Sequence, residues 1–269
     1  MRFFLLFFLL ISSPWASADQ IQKIAFEKLA PQERQALEFL KANMPSQDIV
    51  ALKPEFLVEN IRLAYQVMAQ VPWGKNIPQD IFLNDILPYA SLNERRDNWR
   101  EDFHRRFIKI ALQSKTIDQA VIRLNKYVFE TLQVSYSATQ RPKPDQSPYE
   151  SIQAHYASCT GLSILLTDAL RSVGIPARIA GIAMWPDESG NHTWVEIWDG
   201  QWHYLGASES TQLDRAWFSS KASQTDVKHP IYATSFKKTH LSFPMPWAST
   251  LKFVPAIDVS SHYKHLQKQ

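Results

Sequence analysis

Apolar residues recur at helical spacing through most of the first half of the chain. Pro31 and Pro54 stand where a first helical turn tolerates them, followed by Leu37, Leu40 and Met44 in one run and Leu57, Ile61, Ala64, Tyr65 and Met68 in the next. The spacing predicts an all-helical stretch from Asp19 to about Gln113. A further helix is expected from Ile117 to about Leu132, with Val121, Leu124 and Val128 inward, ended by the Pro-rich loop Arg141–Pro148. From Ser158 the apolar positions Leu162, Leu165, Leu166, Ala169, Leu170 and Val173 fall on one helix face, and Gly174 and Pro176 stop the helix. The pattern then changes to β-branched and aromatic runs, Ala177–Trp185 and Thr193–Trp198, with Asp199-Gly200 turning the chain into Trp202–Ala207. Ile231–Phe236 and Leu251–Pro255 are read as an edge strand and part of a tail.

The N-terminus reads differently. Arg2 precedes nine apolar residues, Phe3 to Ile11, and the small triplet Ala16-Ser17-Ala18 follows. This is the pattern of a secretory signal peptide cut after Ala18, and the run is too short to span a bilayer. The expected organisation is therefore a signal peptide over 1–18, a helical region over 19–115, a core over 116–245 and a C-terminal tail over 246–269. The mature chain is expected to be secreted or periplasmic, with no stable membrane insertion.

Composition narrows the chemistry. Of 269 residues only 7 are Gly, and no glycine loop of the phosphate-cradling kind is present. The net charge of +3 gives no electrostatic case for a nucleic-acid partner. The Arg-rich stretch Glu94–Lys109 pairs Glu101 with Arg105 and Asp102 with Arg106 at i,i+4, which reads as a solvated helix face. No cofactor is implied, and eight scattered His with one Cys form no zinc spacing, so no metal site is expected.

That single cysteine, Cys159, excludes an intramolecular disulfide in an exported chain. A buried inert thiol, an intermolecular bridge and a reactive nucleophile remain. Its place at the start of a helix favours a thiolate, because unpaired backbone N–H groups and the helix dipole stabilise negative charge there. His192 opens a strand of the following hairpin, and a Cys with a His makes a nucleophile and base pair.

The stretch Ser158-Cys-Thr-Gly-Leu-Ser-Ile-Leu-Leu-Thr-Asp-Ala-Leu-Arg-Ser-Val-Gly-Ile-Pro-Ala-Arg178, followed by Asn191-His-Thr-Trp-Val-Glu-Ile-Trp-Asp-Gly-Gln-Trp202, closely resembles the core of the transglutaminase-like superfamily. The resemblance covers about Tyr149 to Glu209. It implies an α+β, papain-like fold in which a Cys-bearing helix packs on an antiparallel sheet, with Cys159 as nucleophile and His192 as base. Two positions depart from the family pattern. Ala157 stands where Gly is common, two residues before the nucleophile, and Gly206 stands where the family places an Asp that orients the base. Glu209 is the first candidate to replace that carboxylate, with Asp214 and Glu196 behind it. Gln153 or Tyr156 is a candidate second oxyanion donor beside the Cys159 backbone N–H, and Trp185 a candidate groove residue. His192 is expected to keep Cys159 ionised.

Together these residues predict an exported thiol enzyme that attacks protein or peptide amides through an acyl-enzyme. Hydrolysis is favoured over cross-linking, because transfer to an amine requires a site that excludes water. The alternative is a catalytically impaired module that grips a peptide or cell-wall component. A third reading places the function in the helical N-terminal half as a partner-binding platform.

Overall fold

The computed structural model describes residues 29–264. The signal-peptide reading of 1–18 and its cleavage point lie outside the described residues. Helices dominate the first half: α1 (Pro31–Asn43), α2 (Ser46–Ala51), α3 (Pro54–Gln70), α4 (Arg100–Ala111) and α5 (Ile117–Leu132). Pro31 and Pro54 occupy the first turns of α1 and α3, where the missing N–H costs nothing. A short strand β1 (Ser135–Tyr136), helix α6 (Pro148–Ala154) and strand β2 (Tyr156–Ala157) lead into α7 (Cys159–Ser172). Among the described residues, no helix is long and apolar enough to cross a membrane.

Helix α7 is the axle of the fold. Ser158 caps its start by accepting a hydrogen bond from the Gly161 N–H, and Gly174, at φ +72°, takes the left-handed turn that ends it. It packs on one side against β3 (Ala177–Ile182) and β4 (His192–Trp198), and on the other against α4 and α5. Its buried face joins Leu162, Leu165, Leu166, Ala169 and Leu170 to Phe103, Phe107, Val121, Leu124, Val195 and Ile197 in one apolar cluster. Residues on β4 alternate: Val195 and Ile197 face α7, while Trp194 enters a second cluster with Tyr204, Phe218 and Tyr263 on the far side of the sheet.

The sheet is antiparallel throughout and runs in the order β5-β4-β3-β6-β8-β7, where β5 is Trp202–Leu205, β6 Ile231–Thr234, β7 Leu241–Ser242 and β8 Pro255–Asp258. Short helices α8 (Ser219–Ser223) and α9 (Ser260–Lys264) touch one another beside it. The mixed α+β class and the helix-strand-hairpin order agree with expectation. Two readings need correction. The segment after residue 246 was read as a tail, yet Pro255–Asp258 is an interior strand, held by Tyr232, Ala233 and Thr234 on one side and by Leu241 and Ser242 on the other. The run Ile231–Phe236 is accordingly not an edge.

The Arg-rich stretch is also only half a solvated face. Asp102 pairs with Arg105 and Arg106 at 2.7 and 2.9 Å on the surface. Arg100, by contrast, is fully buried, and its guanidinium donates to the carbonyls of Ile86, Leu87, Pro88 and Arg171 and to the Asn60 side chain. Arg171 on α7 likewise reaches the carbonyls of Asp85, Ala90 and Ala177. These two cations satisfy backbone groups that the irregular stretch between α3 and α4 leaves unpaired, and so fasten it to the axle helix.

Candidate functional site

Cys159 is the first residue of α7 and His192 the first of β4, and both line one cleft of about 510 Å³. Strand alternation turns Thr193 toward α7, where its hydroxyl accepts from Thr160 at 3.1 Å and its backbone N–H faces the cysteine sulfur. The imidazole of His192 leans the other way, among aromatic rings. Its centroid lies 4.8 Å from that of Trp217, 4.9 Å from Phe218 and 5.8 Å from Trp194. Nε2 of this ring is buried and has no hydrogen-bond partner.

Burial therefore governs both groups. It pushes the Cys159 thiol up, against hydrogen bonds from the Thr193 backbone and from Thr160 and a distant attraction from Arg141. It pushes His192 down to about 4. At neutral pH each group alone prefers its uncharged form. Burial thus works against the expectation of a standing thiolate, because the aromatic enclosure disfavours the imidazolium.

Sequence comparison gives this arrangement a family. The model of the transglutaminase-like superfamily matches residues 106–207. Residues 106–207 form a transglutaminase-like core. A comparison with curated proteins finds no match to the sequence. Among solved structures, a candidate cysteine protease of Cytophaga hutchinsonii aligns at 12% identity and a TM-score of 0.39, over 68% of this chain and 64% of that one. LapG of Legionella pneumophila, in an EGTA-treated form, aligns at 15% identity and a TM-score of 0.35, over 76% of this chain and 96% of that one. The chain thus spans less than two thirds of the C. hutchinsonii protein.

The transglutaminase-like core ends just before Glu209, and the turn that follows decides where that carboxylate sits. Asn125 of α5 donates to the carbonyls of Gly206 and Ser210 and accepts from the Ser208 N–H. Ser208 takes φ +69°, bending the chain so that Glu209 folds back over Gly206. A Cβ built on Gly206 would lie 2.9 Å from Glu209 Oε2. The Glu209 carboxylate thus occupies the space of the side chain that position 206 lacks, and it lines the same cleft as Cys159 and His192. Its hydrogen bond goes to the Trp217 indole N–H at 2.7 Å, and Trp217 in turn lies against the His192 ring. Burial pushes the Glu209 carboxyl up while the Trp217 bond opposes this.

The other sequence candidates fall elsewhere. Asp214 accepts from the Tyr204 N–H and pairs with His203, bracing β5 outside the cleft. Glu196 is buried between Arg178 and the Tyr263 hydroxyl, each at 2.7 Å, and Tyr263 also accepts from Trp194. Its period-2 alignment with His192 holds, but it serves the layer beneath the base. Trp185 is 2% exposed and stacks on Trp194 at 6.0 Å, so it is core rather than groove. Gln153 and Tyr156 are exposed and are not part of the cleft wall, which leaves backbone N–H groups at the start of α7 as the oxyanion donors at hand. Tyr136, Arg141, Trp217 and Trp247 are among the wall residues that sequence reasoning does not single out. Arg141 carries no clear signal of its own in the sequence, since Asp145 stands four residues on as an apparent partner.

Proposed function

We propose that the chain is an exported thiol enzyme that attacks a protein or peptide amide, with Cys159 as nucleophile, His192 as proton acceptor and donor, and Glu209 as the orienting carboxylate. The observation that carries this reading is the convergence of a helix-start cysteine and a strand-start histidine on one cleft. Cys159 passes its proton to His192 as its sulfur bonds to the amide carbon. The oxygen, now negative, accepts from N–H groups at the start of α7. His192 then returns the proton to the departing amine, leaving a thioester, and water attacks the thioester with His192 as base to release the acid. The cleft's open mouth favours water over an amine as that acceptor. The export part rests on the pattern of residues 1–18 alone.

Mass spectrometry after acid quench is expected to find an acyl adduct on Cys159 when the mature protein is incubated with an extract of its own envelope, and none on Cys159→Ser. Absence of any adduct, with alkylation of Cys159 indifferent to His192, would overturn the enzyme reading.

One observation favours the rival reading of an impaired peptide-binding module: Nε2 of His192 is unpartnered while Glu209 bonds Trp217. A paired exchange separates the two. Glu209→Ala is expected to slow acylation about tenfold, in line with loss of the bond that holds Trp217 against the imidazole. Gly206→Asp alone should also slow it, because the new side chain meets Glu209 at 2.9 Å. The double variant Gly206→Asp with Glu209→Ala should recover most of the loss. A double variant no better than either single one would leave Glu209 a structural residue.

A further inference from the structure

The cleft wall holds one cation that the proposed chemistry does not use. Arg141 lies in the loop between β1 and α6, and its Nε donates to the Ala138 carbonyl at 3.2 Å. No carboxylate among the described residues is within ion-pair distance of it. The neighbouring charges are all engaged: Lys143 with Glu150 at 2.9 Å, Asp145 with Asn93 at 2.6 Å, and Glu209 with Trp217. The loop is not free to carry Arg141 away. Ser137 Oγ accepts from the Gln140 N–H at 2.9 Å, and Ser158, the cap of α7, donates to the Pro144 carbonyl at 2.5 Å. The residue beside the nucleophile thus fastens the loop that bears the guanidinium. On the same wall, Tyr136 and Trp217 are each 58% exposed and Trp247 closes the rim, an apolar flank for whatever lies beside the charge.

Resting on the thiol-enzyme reading, we propose that Arg141 is the specificity determinant of the cleft and selects acyl donors that carry a carboxylate next to the amide under attack. A half-buried guanidinium on the wall of the cleft that holds the reacting sulfur binds a carboxylate in a charge-assisted, planar contact, and a neutral donor leaves it unpaired. The same field reaches the sulfur, since Arg141 is one of the groups favouring the Cys159 anion. A free chain terminus and an acidic side chain offer the same chemistry.

Two small reagents test the selection without a known substrate. Iodoacetate and iodoacetamide both lose iodide to the Cys159 sulfur and differ in charge. The ratio of their rates cancels the thiolate population and reads the attraction of the cleft for an anion. At low ionic strength the iodoacetate to iodoacetamide ratio is expected to fall about threefold in Arg141→Gln and at least tenfold in Arg141→Glu, and the wild-type ratio to fall with added salt. An unchanged ratio in both variants, with labelling still dependent on His192, overturns the role of Arg141 and leaves the enzyme reading standing. No His192-dependent labelling by either reagent overturns the enzyme reading itself. Protection of Cys159 by an Asp-containing peptide amide assigns the carboxylate to a side chain, and protection by a peptide with a free C-terminus assigns it to a terminus. Equal protection by the matching Asn peptide amide overturns the proposal.

Discussion

His192→Ala is expected to slow alkylation of Cys159 by iodoacetamide in weak acid while making the fold less sensitive to acid. Both effects come from the same buried imidazole. On the proposed mechanism the thiol proton moves to His192, and attraction between the two charges formed together holds it there above the lone imidazole value near 4. The rate should therefore show a plateau that begins near pH 4. Without the imidazole the thiolate forms only by releasing its proton to water, and burial has made that harder, so the plateau collapses to a single rise in alkali. A profile of the same shape in both proteins would mean that the two groups do not share a proton.

The stability effect has the opposite sign. An unfolded His192 takes up a proton near 6.5, whereas the folded one resists until about 4. As pH falls through that window the unfolded state binds more protons and stability is lost, by about 3 kcal/mol once both states are charged. His192→Ala lacks this term. Urea unfolding at pH 7 and at pH 4 should show a smaller difference between the two conditions in the variant. An equal difference would place the acid sensitivity in other groups.

Arg100→Ala should destabilise the protein by about 5 kcal/mol, the largest effect of any single substitution considered. The guanidinium is sealed from solvent and satisfies four backbone carbonyls and one amide oxygen drawn from three separate segments. Removing it leaves several acceptors dry and unpaired and opens a cavity between the N-terminal helices and α7. Burial lowers the Arg100 pKa to about 9, with Arg171 adding to the effect and Asp168 opposing it. At neutral pH it still carries its charge. Arg100→Lys should recover little, because one ammonium cannot reach acceptors arranged for a planar fork. A urea midpoint for Arg100→Ala within error of the wild type would show that the surrounding carbonyls find other partners.

The parts of this fold that were legible in the sequence are those in which one period rules. α5 and α7 have clean apolar stripes and definite ends, and the hairpin of β4 and β5 has a Gly turn, so their places and types could be read. Strand β8 could not. It is four residues long, begins with proline, and owes its place to the edges of β6 and β7. Arg100 lies in a stretch that reads as surface, because charge at helical spacing looks the same whether it faces water or bare carbonyls. At the site, Cys159 and His192 were legible because each begins an element. Glu209 enters the cleft through a bend fixed by Asn125, some eighty residues earlier. Arg141 and Trp217 belong to loops whose course is decided by what they pack against. Nor does a list of residues reveal Trp185, Trp194, Trp217 and Phe218 closing round one imidazole.

The position of β8 has a consequence for biosynthesis. Until residues 255–258 have left the ribosome, β6 has a free side along Tyr232, Ala233 and Thr234, and β7 has nothing to pair with. The nascent sheet therefore stays open until that segment emerges, with an unpaired rim that invites association between chains. Closure of the sheet waits on a segment made after every other described strand, and a chain cut before Pro255 would keep that rim permanently.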